Sequence, residues 1–260
     1  MTITQEDLVA GFKELGVEVG DVLLVHSSYL YLGSVKGGVE GGPGVVVDAL
    51  LNVLTDEGTL IVPTFNFGFT RGEPWDIRNT PSHMGTITEI VRKDLRSCRV
   101  MHPIHSFAII GKLAKELCGQ RYKGSFARDS ILGRLRDLDG KIMIIGLRYN
   151  QSLTFMHHVE EMIGVQHRFH KEFTGLVTDE EGNTYEDTFT MYVRDIDNGV
   201  NTDYEPLGKA LEEAGVVNIR KIGNGLVKLM RANDIYPVME RELKAHPGPG
   251  FVYWYEKKDE

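Results

Sequence analysis

Cysteine, long apolar runs and basic excess are all scarce in this 260-residue sequence, and each shortage excludes something. The two cysteines, Cys98 and Cys118, have no C-x-x-C spacing. They read as reduced thiols in or near the core, which makes the cytoplasm the default location. No stretch approaches the ~20 apolar residues of a membrane helix. The N-terminus, Met1-Thr2-Ile3-Thr4-Gln5-Glu6-Asp7, has neither a basic region nor an apolar one, so no secretory signal is expected. The formal net charge is −8. That sign opposes nonspecific nucleic-acid binding and mildly favours a cationic substrate. The Walker loop, the Rossmann fingerprint, the G-x-S-x-G elbow and the H-E-x-x-H zinc motif are missing as well. With no internal repeat, low-complexity segment or linker, residues 1–260 read as one domain.

What is present is an alternation of short apolar runs and helical spacings. Val22-Leu23-Leu24-Val25, Thr59-Leu60-Ile61-Val62, Phe107-Ala108-Ile109-Ile110 and Ile142-Met143-Ile144-Ile145 are continuous apolar runs. Such runs fit strands buried on both faces. Helical spacing predicts helices over residues 5–15, 45–54, 84–93, 112–118, 130–135, 152–162, 205–214, 224–230 and 234–243. Residues 172–177 and 184–193 alternate more and carry more Thr and Tyr. With the polar turn Asp179-Glu180-Glu181-Gly182-Asn183 between them, they read as an antiparallel hairpin over roughly 170–195. The expected fold is α/β, a mostly parallel central sheet flanked by helices, with that hairpin as a subdomain.

Several residues have chemical potential. The stretch from Gly33 to Pro43 follows a strand and precedes a helix, so its backbone suits a phosphate of coenzyme A or of a nucleotide sugar; it also suits a surface loop. His157 and His158 lie on one predicted helix with Glu160 and Glu161. Residues three or four apart share a face, so His157 can pair with either glutamate and His158 with Glu161. A carboxylate fixes an imidazole's tautomer and raises its basicity, which makes a general base for an attacking amine. The same pairs also occur as solvated helix pairs. His26, His102, His105, His157 and Glu160 are possible zinc ligands, and Ser27 or Ser106 a possible nucleophile.

In order along the chain, His26-Ser27-Ser28, Gly37-Gly38 through Gly42-Pro43, Gly58-Thr59-Leu60-Ile61-Val62-Pro63-Thr64-Phe65, Thr80-Pro81-Ser82 with Met84-Gly85, His102-Pro103 with Ser106, Ile144-Ile145-Gly146, Thr154-Phe155-Met156-His157-His158-Val159-Glu160 and Lys221-Ile222-Gly223-Asn224 make a recognisable set. The set resembles the aminoglycoside N3-acetyltransferase superfamily nearly end to end. The resemblance implies an acyl-coenzyme A co-substrate, no permanently bound cofactor and no metal. Its T-x-x-H-x-x-E pattern falls on Thr154, His157 and Glu160. This implies His157 as general base and Glu160 as its orienting partner. It further implies a coenzyme A site at His26, Ser27, Ser28, Gly33 and Ser34, extended by Thr64 and Phe65. His102, Ser106, Arg78 and Thr154 are implied on the side of the amine substrate.

The resemblance also bears on the acceptor. Aminoglycoside-modifying members usually have Ser-Pro where this chain has Ser130-Ile131, and Trp where it has Ser34. The stretches Trp75-Asp76-Ile77-Arg78-Asn79-Thr80-Pro81-Ser82, residues 155–161 and Thr190-Met191-Tyr192-Val193-Arg194-Asp195 look closer to the branch that acylates nucleotide-linked amino deoxysugars for surface polysaccharides. That branch is therefore the expectation. Arg71, Arg78, Arg148 and Arg168 are then candidate partners of the diphosphate, though each also reads as a solvated surface residue. An aminoglycoside 3-N-acetyltransferase is the first alternative. A metal-dependent hydrolase or a non-catalytic nucleotide-sugar binding protein is the second. The expected partners are small molecules, with no nucleic acid and no membrane; association into a homo-oligomer is left open.

Overall fold

A computed structural model describes residues 2–33 and 39–256. The helices are α1 (Gln5–Leu15), α2 (Tyr29–Gly33), α3 (Gly44–Leu54), α4 (Thr86–Lys93), α5 (Ala114–Cys118), α6 (Ile131–Asp137), α7 (Tyr149–Ser152), α8 (Phe155–Ile163), α9 (Glu205–Glu213) and α10 (Ala232–Ala245). The strands are β1 (Val22–Ser27), β2 (Thr59–Pro63), β3 (Trp75–Asp76), β4 (Cys98–Arg99), β5 (Phe107–Gly111), β6 (Lys141–Ile145), β7 (Arg168–Thr178), β8 (Thr184–Arg194), β9 (Val200–Thr202), β10 (Asn218–Ile222), β11 (Gly225–Arg231) and β12 (Tyr253–Tyr255).

The main sheet has seven strands in the order β10-β11-β6-β1-β2-β5-β4. At its centre β6, β1 and β2 run parallel. Antiparallel strands widen it on both sides. Successive side chains of a strand point to opposite faces. In β1, Leu23 and Val25 pack on the layer of α1, α3 and α4, and Leu24 packs on the opposite layer. In β6, Met143 and Ile145 take the first layer, Ile142 and Ile144 the second. Burial on both faces is why these strands are apolar without interruption. It also aims His26, two residues beyond Leu24, toward the layer that holds α8.

The hairpin spans nearly the residues expected, and its first strand is longer than expected. Strands β7 and β8 pair in register from Arg168↔Arg194 to Thr178↔Thr184, and β3 joins β7 to make a separate three-stranded sheet. Its core is small, with Phe69, Trp75, Ile77, Ile104, Val177 and Phe189 at its centre.

Three expectations are corrected. Residues 224–230 are not helical: Gly225–Arg231 is β11, which pairs with β6 on one side and β10 on the other. The run Leu226-Val227-Lys228-Leu229-Met230 is too short to carry a period, and its partner strand is remote in sequence. Residues 152–162 are two helices, because the chain breaks helical geometry between Ser152 and Phe155. Cys98 and Cys118 are not free thiols but a disulfide that joins edge strand β4 to α5. Twenty residues separate them in sequence, and only the packing of α5 on β4 and β5 brings them together. The bond removes the thiol-based reason for a reducing compartment. Among the described residues no helix is long and apolar enough to cross a membrane.

Candidate active site

The site grows from the short link between β6 and α8, at the carboxyl ends of the parallel strands, where open α/β sheets bind their ligands. Gly146 ends β6 with φ +69°, at a point where an added Cβ would come within 2.4 Å of the Tyr31 Cβ. Helix α8 then buries Phe155, Met156, His158, Val159 and Glu160 and ends at Gly164 with φ 69°. That left-handed glycine turns the chain back, so that the start of β7 returns alongside Glu160.

Glu160 is the hub. Its carboxylate is fully buried and lies 2.8 Å from His157 Nδ1, 3.0 Å from His167 Nε2 and 2.8 Å from Arg168 Nε. The Arg168 Nε–H is not aimed at the oxygen, so this contact is an ion pair rather than a hydrogen bond. Tyr204 donates its hydroxyl to Glu160 Oε1 at 3.3 Å and accepts from Arg168 Nη2 at 2.8 Å. Burial alone would raise this carboxyl, but Arg168, His157 and His167 together hold it well below the usual carboxylate range. An ionised Glu160 accepts from His157, so the proton of a neutral His157 sits on Nδ1 and its Nε2 lone pair is free. Burial and the Arg168 charge lower the His157 pKa, against a raising effect of Glu160, so the ring is neutral at neutral pH.

Two clefts meet at His157. One, of about 180 Å³, is walled by His26, Phe65, Met84, Thr154 and Tyr204. The other, of about 470 Å³, is walled by Arg168, by Phe169, Lys171 and Phe173 of β7, and by Met191, Val193 and Arg194 of β8. His157, His105 and Phe67 border both. A larger groove, of about 650 Å³, lies beside the disulfide and includes none of these three.

The structure brings His26, Phe65, Thr154, His157 and Glu160 together and places the two histidines in different surroundings. His158 is buried and gives its Nδ1–H to the Phe126 carbonyl at 2.7 Å, so it has no access to a ligand. Glu161 pairs with His170 instead. Burial lowers His26 to about 4, so it too is neutral. Ser27 and Ser28 follow His26 and are half-buried, Gly33 ends α2, and Ser34 lies outside the described residues, as do residues 35–38 of the glycine-rich stretch.

Four assignments are corrected. Thr64 and Ser106 are completely buried and face away from the clefts. Their hydroxyls lie 2.8 Å apart, Ser106 donates to the Thr64 carbonyl, and Arg99 Nε reaches both. The buried Arg99 also donates to the carbonyls of Thr64, Ile77 and Thr80. Desolvation lowers it to about 9. Ser106 therefore has no imidazole partner and is no nucleophile. His102 is buried behind His105, and Arg78 is exposed and borders neither cleft. Arg71 and Arg148 are likewise exposed, on surface ion pairs. Arg168 is the exception, buried against Glu160. Among the described residues no group of three or more His, Cys, Asp or Glu is placed to hold a metal ion.

Sequence reasoning missed His167, Tyr204 and the position of Arg168. The available signal was Gly164: a glycine just past a helix turns the chain back, which would have placed residues 167 and 168 near Glu160.

Comparison with known proteins shows the family. The family model for aminoglycoside 3-N-acetyltransferase matches residues 24–244. Aminoglycoside N(3)-acetyltransferase VII of Streptomyces paromomycinus is 24% identical over 283 aligned positions, which cover 95% of each chain. The aminoglycoside acetyltransferase AAC(3)-Xa superposes with a TM-score of 0.83 at 22% identity, over 95% of this chain and 94% of that one. AAC-IIIb, solved as a binary complex with CoASH, superposes with a TM-score of 0.83 at 19% identity, over 96% and 100%. The expected branch acting on nucleotide-linked amino sugars is thereby overturned, since the family model and these relatives all point to the aminoglycoside enzymes. The chain belongs to the aminoglycoside 3-N-acetyltransferase family, and with it to the enzymes that transfer an acyl group from coenzyme A to an amine.

Proposed function

We propose that this protein, as one catalytic domain, moves the acetyl group of acetyl-coenzyme A to the 3-amine of an aminoglycoside, with His157 as general base and Glu160 as its orienting partner. The observation that carries the reading is the place of His157, on the border of two clefts, with Nδ1 held by a buried carboxylate. The smaller cleft takes the thioester end of coenzyme A past His26, Phe65 and Thr154, with Ser27, Ser28 and Gly33 nearby. The larger cleft takes the sugar.

The chemistry follows from the protonation states. The acceptor amine is mostly ammonium near neutral pH and must lose a proton to attack. That first proton goes to solvent; the free amine then attacks, and His157 Nε2 receives a second proton from the same nitrogen as the nitrogen–carbon bond forms. The resulting imidazolium is stabilised by Glu160, which lies in low dielectric and is already ionised. The tetrahedral oxyanion collapses, the carbon–sulfur bond breaks, and the thiolate takes up the proton from His157. No acyl-enzyme is needed, and the two cysteines are tied up in a disulfide.

The acceptor cleft is not ideally charged for a polycation. Arg168 is compensated by Glu160, but Lys171 and Arg194 face the same space as a single carboxylate, Asp197. This predicts a weaker fit for aminoglycosides carrying many ammonium groups than for those carrying few. The test is thiol release from acetyl-coenzyme A with aminoglycosides that have or lack a 3-amine. Release that depends on the 3-amine supports the reading. Equal release with acceptors that lack it refutes the position, and silence across a broad panel refutes the acceptor class.

A further inference from the structure

A line of side chains behind the clefts has no part in the mechanism above. His102 Nδ1 lies 3.3 Å from the Ile104 backbone nitrogen and 3.0 Å from that of His105. A backbone N–H only donates, so Nδ1 is the unprotonated nitrogen. Desolvation lowers His102 to about 3, so the ring is neutral and carries its proton on Nε2. That nitrogen is 3.5 Å from Ser125 Oγ, which is in turn 3.0 Å from His105 Nδ1. With Ser125 accepting from His102, its own hydroxyl hydrogen is left to point at His105 Nδ1. Burial also holds His105 well below the ordinary imidazole range, with the neighbouring His102, His157 and Arg168 adding to it. A neutral ring whose Nδ1 is an acceptor carries its proton on Nε2.

The ring is locked in place. It packs edge-on against Phe65 at 4.6 Å and Phe67 at 5.6 Å between centroids, and lies 4.7 Å from Phe126. It borders both clefts, as His157 does. Where the clefts meet is where an acyl carbon must sit if the thioester arrives from one and the amine from the other. The hydroxyls of Thr64 and Ser106 are turned away toward Arg99 and cannot serve there.

We propose that His105 is a catalytic residue that donates its Nε2–H to the oxyanion formed on the thioester carbonyl, and that Ser125 and His102 are positioning residues that fix this tautomer. This rests on the acyl-transfer reading of the site. The nitrogen–carbon bond forms and the carbonyl electron pair moves to oxygen, where His105 meets it with a neutral donor. The pair returns as the carbon–sulfur bond breaks, and His105 keeps its proton throughout. His157 alone exchanges one. Neutral donors fixed before the reaction are worth more in a water-poor site than in solution, because they need not reorganise.

His105→Phe keeps the ring and its packing but removes the donor. The expected result is a fall in kcat of about 10²–10³-fold, the usual worth of one oxyanion donor, with coenzyme A affinity by calorimetry and the melting temperature little changed. His105→Gln restores an N–H and is expected to recover part of the loss. Ser125→Ala leaves His105 in place but frees its tautomer, and lowers kcat with KM unchanged, which loss of packing alone does not do. Long-range proton–nitrogen NMR on the wild-type protein reads the tautomer directly and is expected to place the His105 proton on Nε2. A proton on Nδ1, or an active and folded His105→Phe enzyme with kcat within about threefold of wild type, overturns the inference. Failure of the acyl-transfer reading looks different: it is a wild-type protein that releases no thiol with any amine.

Discussion

The two clefts that meet at His157 are built in opposite ways. The wall on the donor side comes from the end of β1, from α7 and α8, and from Phe65, all seated on a core cluster that spans the sheet. The wall on the acceptor side is one face of the β7–β8 hairpin, whose own small core lies at its far end and whose Phe169, Lys171 and Glu172 are exposed. One side is held by the same burial that holds the fold; the other is attached to it through the Arg168–Glu160 pair, the buried Tyr192, the backbone bonds of Thr190 to residues 123 and 125, and surface ion pairs. Chemistry common to a family needs the first kind of support, because a general base out of place by an ångström loses much of its effect. Choice of acceptor can sit on the second kind, where a side chain can change without disturbing the core.

The sharpest test of that division removes the base. His157→Ala is expected to lower kcat by about 10²–10⁴-fold while coenzyme A binding and thermal stability stay near wild type. A folded variant with near-normal turnover would refute the assignment. Glu160→Gln reaches both sides at once, since it removes the charge that joins α8 to the hairpin. Arg168 is then left buried without its partner, a loss of about 3 kcal/mol, measurable by denaturant unfolding. The pH dependence has a definite sign. The folded Glu160 is depressed below its ordinary 4.5, so its contribution is complete above that pH and is lost as pH falls through its folded value. Unfolding free energy of the wild type should therefore decline more steeply below pH 4.5 than that of Glu160→Gln. The acid limb of kcat/KM lies below 6.5 in the wild type, because His157 is lowered. It should move further down in Glu160→Gln, because the carboxylate is what raises it. A limb that moves up would mean another group is being titrated.

A smaller effect is expected from Arg99, which braces the chain next to Phe65 on the donor side and also stacks over Trp75 in the core of the hairpin's sheet. Arg99 holds the carbonyls of Thr64, Ile77 and Thr80 with no carboxylate in contact. Arg99→Gln leaves several of them without donors, at about 1–3 kcal/mol. It should destabilise the protein and raise the KM for acetyl-coenzyme A more than that of the amine. An equal rise for both substrates would show that the two walls are not independent.

The same contrast explains what could be read in advance. The strands 22–25 and 142–145 are legible because burial on both faces leaves no polar position to interrupt them. The hairpin is legible from its alternation and its polar turn. The stretch 225–231 is not, because its pairing with β6 is a tertiary fact and its four apolar residues, interrupted by Lys228, suit helix and strand alike. His157 and Glu160 share a helix face, and spacing alone can propose them. His167, Arg168 and Tyr204 reach Glu160 from other elements, and no local pattern marks them. The bond between Cys98 and Cys118 is missed for the same reason, and the buried cluster of Arg99, Thr64 and Ser106 looks in sequence like cleft residues because its members stand next to ones that are.

Lys171 offers the finest probe of the acceptor wall. It is exposed on the cleft-lining face of β7, near Phe173, and its ammonium group shares the cleft with Arg194 and Asp197. Two unit charges about 8 Å apart in a water-like medium interact by about 0.5 kcal/mol. Reversing the sign with Lys171→Glu doubles that to about 1 kcal/mol, or roughly a fivefold change in affinity. For a polycationic aminoglycoside the expected result is a KM lowered about three- to fivefold at low salt, with kcat unchanged and the gain fading as salt screens the pair. Unchanged KM at every ionic strength would place the aminoglycoside away from this face of the hairpin. A raised KM would show that Lys171 binds acceptor oxygens rather than repelling ammonium groups, and would make the hairpin a direct reader of the sugar rather than only its charged surroundings.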